Sequence, residues 1–105
     1  MDEQKYEMHF QLIALAGQSK SNSVEAIREA REGNYEAAET LLKEAEEQFA
    51  EAHSLHFNML QNEASSEKTE MDLIAVNAQD HLTMATVLHD VAADIVSLYR
   101  MVRGK

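Results

Sequence analysis

The chain contains no proline and no cysteine, and only three of its 105 residues are glycine. Tight turns between β-strands depend on glycine and similar turn-forming residues, so this scarcity argues against a sheet protein. The absence of cysteine excludes disulfides, thiolate metal ligands and cysteine nucleophiles. Alanine and glutamate are abundant and favour helices. We therefore predict an all-α protein that forms a single domain over residues 1–105.

Basic residues are also few, because 9 Lys and Arg against 19 Asp and Glu give a net charge of −10. Such a surface repels nucleic-acid phosphates and anionic lipids, so we expect neither as a partner. The chain has no run of eighteen apolar residues and no basic segment leading into an apolar one at its start. We expect a cytoplasmic protein with no direct membrane insertion.

Two segments interrupt the helical pattern. At the first, Gly33 can take the left-handed conformation that ends a helix, and Asn34 can cap the next helix. At the second, residues 65–69, the spacing of Thr69 and Asp72 is that of a capping box. The pattern predicts an antiparallel three-helix bundle with helices at about residues 5–31, 34–63 and 70–103.

The first two helices each have one apolar face, with apolar residues recurring at steps of three and four. In the first helix the face consists of Phe10, Ile13, Ala16, Val24 and Ile27. In the second it consists of Tyr35, Ala38, Leu42, Ala45, Phe49, Ala52, His56 and Leu60. A polar tract at residues 17–23 weakens the first helix, and a break there is the alternative.

The third helix has two apolar stripes. One stripe consists of Ile74, Ala78, Leu82, Ala85, Leu88, Ala92, Ile95 and Tyr99. The second stripe consists of Leu73, Val76, Met84, Val87, Val91 and Leu98. A three-helix bundle buries one stripe of each helix, so the second stripe predicts association with other copies of the chain.

A polar segment at residues 77–81 interrupts the second stripe. An oligomer built on this stripe would bury the Asp80 carboxylate, which costs several kcal/mol unless the group is paired or neutral. Copies of Asp80 around a symmetry axis can share a divalent cation, because such ions prefer oxygen ligands. A solvated position at the rim is the alternative for Asp80. For Asn77 the alternative to a functional role is a structural one, in which the polar side chain only fixes the register and the oligomeric state of the packed helices.

Other residues offer weaker signals. His53 and His56 are three residues apart on the second helix, a spacing that permits joint metal ligation, although packed or surface histidines are the more common outcome. The chain has no Glu-x-x-His pair, phosphate-binding loop, nucleophile elbow or dinucleotide fingerprint. No local catalytic motif is therefore available.

Six short segments, in order along nearly the whole chain, are Ala16-Gly17, Glu25-Ala26, Gly33-Asn34-Tyr35, Glu51-Ala52-His53, Glu63-Ala64-Ser65 and Ala78-Gln79-Asp80-His81-Leu82. With this spacing the chain resembles the lactose/cellobiose family of enzyme IIA components of the bacterial phosphoenolpyruvate-dependent sugar phosphotransferase system. The resemblance covers one IIA domain.

The resemblance implies a homotrimer in which the third helices surround the axis of a nine-helix assembly. It implies a phosphoryl group carried on a histidine between the phosphocarrier protein HPr and a sugar-specific IIB component. It also implies one divalent cation per trimer, usually Mg²⁺, held by the aspartate that is Asp80 here. Gln79, His53 and His56 are expected to line the site.

The most important departure from this pattern is at residue 77, and smaller ones occur at His56-Phe57 and Leu82-Thr83. The family motif is His-Ala-Gln-Asp-His, with its first histidine as phosphoryl acceptor, and this chain has Asn77 there. A carboxamide nitrogen is not a useful nucleophile, so Asn77 should not carry phosphate. His81 matches the second histidine of the motif. His81 and, less favoured, His56 are the imidazoles that remain as alternative acceptors.

Three functions follow for this chain. The first is a IIA component that relays phosphoryl groups during β-glucoside or lactose uptake. The second is a phosphotransfer-inactive regulatory or binding relative, and the least favoured third is a purely structural bundle. Whether the chain is a phosphotransferase depends on residue 77. The transported sugar is not specified, because the membrane component binds it.

Overall fold

A computed structural model describes residues 3–64 and 73–103, with side chains from residue 6 to 61 and from 73 to 103. It contains α1 (Glu3–Arg31), α2 (Tyr35–Ala64) and α3 (Leu73–Arg103). The all-α, three-helix prediction is confirmed, and α1 begins two residues earlier than expected. The predicted break at 65–69, the capping box and the start of the third helix at 70–72 lie outside the described residues.

The central helix of the bundle is α1, which packs along both α2 and α3, whereas α2 and α3 contact each other much less. Successive helices are antiparallel, so α1 and α3 run in the same direction. The described part of the chain is elongated, with extents of 59 × 19 × 18 Å. Helices of 29, 30 and 31 residues, each about 45 Å long, account for most of this length.

The turn between α1 and α2 has the predicted glycine geometry. Gly33 has a φ of 86°, the left-handed region. Its N–H donates to the carbonyl of Ala30, and the N–H of Asn34 donates to the carbonyl of Glu29, which together form a Schellman motif. The Asn34 carbonyl accepts the first bond of α2, from Ala38. The Asn34 side-chain amide donates to the Glu29 carboxylate across the turn.

The core has two parts and is rich in alanine, which lets the helices approach closely. Near the α1–α2 turn, the buried residues are Ala26, Ala30, Ala38, Leu42, Ala92 and Val96. At the other end of α3, the buried residues are Leu12, Ala52, Ala78 and Leu82. The second part anchors the start of α3, which carries the polar segment 77–81.

The buried face of α1 differs from the predicted one. Its buried residues are His9, Leu12, Ala16, Ser19, Ser23, Ala26 and Ala30. Phe10, predicted on the packed face, is 59% exposed. The predicted face is rotated by about one residue from the buried face. A prediction from hydrophobicity alone favours burial of Phe10 and gives no tendency for burial to the small serines. The alternative of a break at 17–23 is wrong, since α1 is continuous there.

A similar shift occurs at the end of α2. Leu60, predicted on the packed stripe, is 48% exposed, and its neighbour Met59 is buried instead. Earlier in α2, the predicted stripe from Tyr35 to Ala52 is buried or half-buried. The correction is therefore local to the last described turns of this helix.

Both stripes of α3 lie where the pattern predicts. The first stripe is buried or half-buried throughout. The second stripe is exposed in the single chain, with its six side chains between 41% and 87% accessible. A continuous apolar surface of this length is typical of a site of association.

Among the described helices, α3 is the one that is long and apolar enough to cross a membrane by length and composition. This is weak evidence, because core helices of soluble proteins meet the same criterion. The apolar residues of α3 that are not packed in the bundle form the second stripe, and the polar residues Asn77 and Asp80 lie among them. The exposed apolar side chains are thus concentrated on one side of the helix.

Candidate functional site

The polar segment 77–81 lies near the start of α3 and is held by two buried residues. Ala78 and Leu82 pack against Leu12 of α1 and Ala52 of α2. With that face fixed in the core, the other positions of the segment turn outward. Its exposed side chains are Asn77, Gln79 and Asp80, and His81 is half-buried.

His81 contacts α1 through a lysine. The Nζ atom of Lys20 lies 2.9 Å from Nδ1 of His81, and both side chains are half-buried. Sequence reasoning missed Lys20. The available signal was the polar tract at 17–23, which was interpreted as a weakness of the helix. Because Ser19 is buried against α2, the next residue, Lys20, can reach the other neighbouring helix, α3.

His53, on α2, contacts α3 at a point beyond the segment 77–81. Nε2 of His53 lies 3.3 Å from Oγ1 of Thr86. The Thr86 hydroxyl donates its hydrogen to the carbonyl of Leu82, so it accepts from the His53 ring. Thr86 is five residues beyond His81, about 7.5 Å along the helix axis. His53 therefore joins α2 to α3 about two and a half turns from Asn77.

An aromatic cluster supports this position of His53. The Phe49 ring lies edge-on to the His53 ring at a centroid distance of 6.0 Å and to the His89 ring at 5.1 Å. Nε2 of His89 donates to the carbonyl of Leu42 at 3.1 Å. His56, the other histidine expected at the site, is half-buried on α2. The contacts of His53 and His89 link α2 to α3, although His53 itself stays exposed and His89 is half-buried.

Within the described residues of one chain, no group of three or more His, Cys, Asp or Glu side chains is arranged to hold a metal ion. The joint ligation considered for His53 and His56 therefore has no third ligand in this part of the chain. Asp80 is exposed beside the second stripe, between Val76 and Met84. Its oxygen atoms suit a hard divalent cation, provided that other chains supply further ligands.

Known proteins are similar to this chain in sequence and fold. Residues 7–100 match the family model described as PTS system, lactose/cellobiose-specific IIA subunit. The chain is 41% identical over 102 residues to the lichenan-specific phosphotransferase enzyme IIA component of Bacillus subtilis (strain 168), an alignment that covers 97% of this chain and 93% of that protein.

Solved structures agree with the family match. The crystal structure of the cellobiose-specific enzyme IIA from Bacillus anthracis has a TM-score of 0.91 and 33% identity, covering 100% of this chain and 95% of that one. A chain of the solution structure of the Escherichia coli IIA(Chitobiose)–HPr complex shares the fold, with a TM-score of 0.85, 23% identity, and coverage of 98% and 99%. The family resemblance read from the sequence is confirmed. The chain belongs to the lactose/cellobiose-specific IIA subunit family of the phosphotransferase system.

Proposed function

We propose that this IIA component keeps the assembly and docking surface of its family but carries no phosphoryl group on residues 77–81. The observation that supports this most directly is the chemistry of the two family histidine positions. Asn77 has no nucleophilic nitrogen, and Nδ1 of His81 is already engaged by Lys20 at 2.9 Å. The chain would then act as a regulatory or binding relative of the phosphoryl carriers.

The proposed assembly is a homotrimer in which the second stripe of α3 surrounds the axis. The support is the exposure of all six stripe residues in a single chain. Burial of such a stripe is favourable at about 25 cal/mol per Å² of apolar surface. A trimer of three-helix subunits gives the nine-helix arrangement.

One divalent cation per trimer, with Mg²⁺ as the preferred ion, is part of the same proposal. Each chain would contribute Asp80, whose side chain is exposed and flanked by stripe residues one turn away on either side. The cation would compensate carboxylates that the assembly brings together and removes from water. Its role in this proposal is electrostatic and structural.

HPr and a sugar-specific IIB component are the proposed partners, in the cytoplasm. The HPr assignment is supported by the structural neighbour that was solved as a IIA(Chitobiose)–HPr complex. Relatives of the chain are specific for lichenan, lactose and cellobiose, which supports a β-glucoside or lactose uptake system as its setting. Gln79, exposed beside Asn77, would line the surface that a partner approaches.

Incubation with phosphoenolpyruvate, enzyme I and HPr tests this function. We expect the parent chain to remain unphosphorylated and Asn77→His to gain an acid-labile phosphohistidine at residue 77. Asn77→Gln, which is also a carboxamide, is the matched control and should stay unphosphorylated. Mass spectrometry that finds phosphate on His81 or His56 of the parent chain would show instead that it is a carrier.

A further inference from the structure

Lys20 differs from two other cations of the chain in what it contacts. Arg28 pairs with the Glu25 carboxylate at 3.5 Å, and Arg100 pairs with Glu39 at 3.3 Å. Within the described residues, the polar contact of Lys20 Nζ is the ring of His81 and no carboxylate. On a chain of net charge −10, Lys20 is therefore a cation that forms no ion pair with an acid of the described residues.

The contact also fixes which nitrogen of His81 carries the proton. A lysine ammonium has three N–H donors and no lone pair, so Nδ1 of His81 must accept. A neutral imidazole that accepts at Nδ1 carries its hydrogen on Nε2. Neither nitrogen then offers a free lone pair, and His81 is a hydrogen-bond donor rather than a nucleophile.

The two groups together have the chemistry of an anion site. We propose that Lys20 and His81 bind the oxygen atoms of a phosphoryl group, with Lys20 supplying charge and the Nε2–H of His81 supplying a directed donor. Asn77 lies one helical turn before His81 on the same side of α3, and its carboxamide N–H groups add a further donor. The ligand class, a phosphoryl group on a docked protein or a free phosphate, rests on the proposed function.

The site would hold the phosphoryl group without forming a bond to it. A phosphoryl group carries a charge of about −1.5 to −2 and three strong acceptor oxygens. Hydrogen bonds between charged groups are shorter and roughly twice as strong as neutral ones. Lys20 and His81 can therefore retain a phosphorylated partner on a chain whose residue 77 cannot accept the phosphate.

The tautomer is tested first, by long-range ¹H–¹⁵N NMR of the histidine rings in the native chain. We expect protonated Nε2 and unprotonated Nδ1 at His81. Lys20→Met removes the donor and keeps the aliphatic length, and it should give a mixture of tautomers. Lys43→Met, at an exposed lysine of α2, is the matched control and should leave the His81 signals unchanged. A native ring protonated on Nδ1 would overturn the inference.

Binding is tested by titrating the labelled native chain with inorganic phosphate and, separately, with phosphorylated and unphosphorylated HPr. We expect saturable shifts at His81 Nε2 and the Asn77 amide, with affinity reduced about tenfold or more by Lys20→Met. Lys20→Arg should retain most of the affinity, and Lys43→Met all of it. Shifts with inorganic phosphate assign a free-phosphate site, and shifts confined to phosphorylated HPr assign a partner-borne group.

Two outcomes of the titration also contradict the inference. One is the absence of saturable shifts with both phosphate and phosphorylated HPr. The other is equal affinity in the native chain and in Lys20→Met. Phosphoryl transfer to His56 of the native chain would overturn the proposed function alone, because the tautomer and the phosphate affinity of His81 are measured separately.

Discussion

The hydroxyl of Ser19 donates a hydrogen bond to the carbonyl oxygen of Ala45 at 2.7 Å, in the buried contact between α1 and α2. One turn further along α1, Ser23 is equally buried, and its hydroxyl has no partner among the described residues. The two serines therefore have the same burial and opposite hydrogen-bonding states. Both are small enough to let a neighbouring helix approach α1 closely.

Alanine substitution should separate these two states. Ser19→Ala removes a buried hydrogen bond and leaves the Ala45 carbonyl without that donor, so we expect a loss of about 1 kcal/mol in unfolding free energy. Ser23→Ala removes a buried, unpaired hydroxyl and should be neutral or stabilising. Urea denaturation at one fixed protein concentration measures both. Equal losses would contradict the assignment.

The two described glycines, Gly33 in the α1–α2 turn and Gly17 within α1, give a second pair of opposite effects. Gly33→Ala forces an alanine to a φ of 86°, so it should destabilise the chain by about 1 kcal/mol. A Cβ there would meet Arg103 only at ordinary contact distance, so the cost arises from the backbone. Gly17→Ala has open space around the added methyl and should stabilise α1 by about 1 kcal/mol. Thermal unfolding of both variants checks the signs.

The helix count and the α1–α2 turn could be predicted because each rests on a local signal. Only Gly33 combines a glycine with a following capping residue, and the structure forms the corresponding motif there. The two stripes of α3 follow from periodicity alone. Their separation into one buried and one exposed stripe could be predicted because a three-helix bundle offers each helix one packed side.

The error on α1 has a physical cause. Hydrophobic pattern gives weight to large side chains, but the centre of this bundle is built from alanine and serine, where close approach of the helices matters more than side-chain area. Phe10 is therefore predicted as buried and is exposed, whereas Ser19 and Ser23 are buried. At the end of α2 the error is a rotation by one position between two large residues, because Met59 is buried and its neighbour Leu60 is exposed.

At the candidate site, the segment 77–81 could be recognised because polar residues interrupt an apolar stripe. Lys20 could not, since it is 61 positions from His81 in the sequence and no local pattern joins them. Thr86 was missed for the same reason, because its contact with His53 depends on how α2 packs against α3. Contacts between side chains of different helices depend on how the helices pack, and the sequence pattern predicts this packing only in outline.

Met84 tests the proposed trimer. Met84→Lys should dissociate the assembly, because three lysines would be buried near one axis without partners, at a cost of about 3 kcal/mol or more. Sedimentation equilibrium should give a trimer for the parent chain and a monomer for the variant at micromolar concentration. Ala50→Lys, at an exposed position of α2, is the control and should remain trimeric. A monomeric parent chain would refute the trimer.

Asp80 tests the proposed cation and separates it from the assembly. Calorimetric titration of the parent trimer with Mg²⁺ should show one ion bound per three chains. Asp80→Leu should abolish this binding and leave the trimer as stable as before, or more stable, because replacing a buried charge cluster by apolar side chains is often neutral or favourable. Glu47→Leu, at an exposed acid of α2, should change neither property.

Because Met84→Lys acts on the apolar contact and Asp80→Leu on the carboxylates, loss of the trimer in both would mean that the ion holds the assembly together. Retention of the trimer in Asp80→Leu assigns that role to the second stripe, and unchanged Mg²⁺ binding in this variant would place the ion elsewhere.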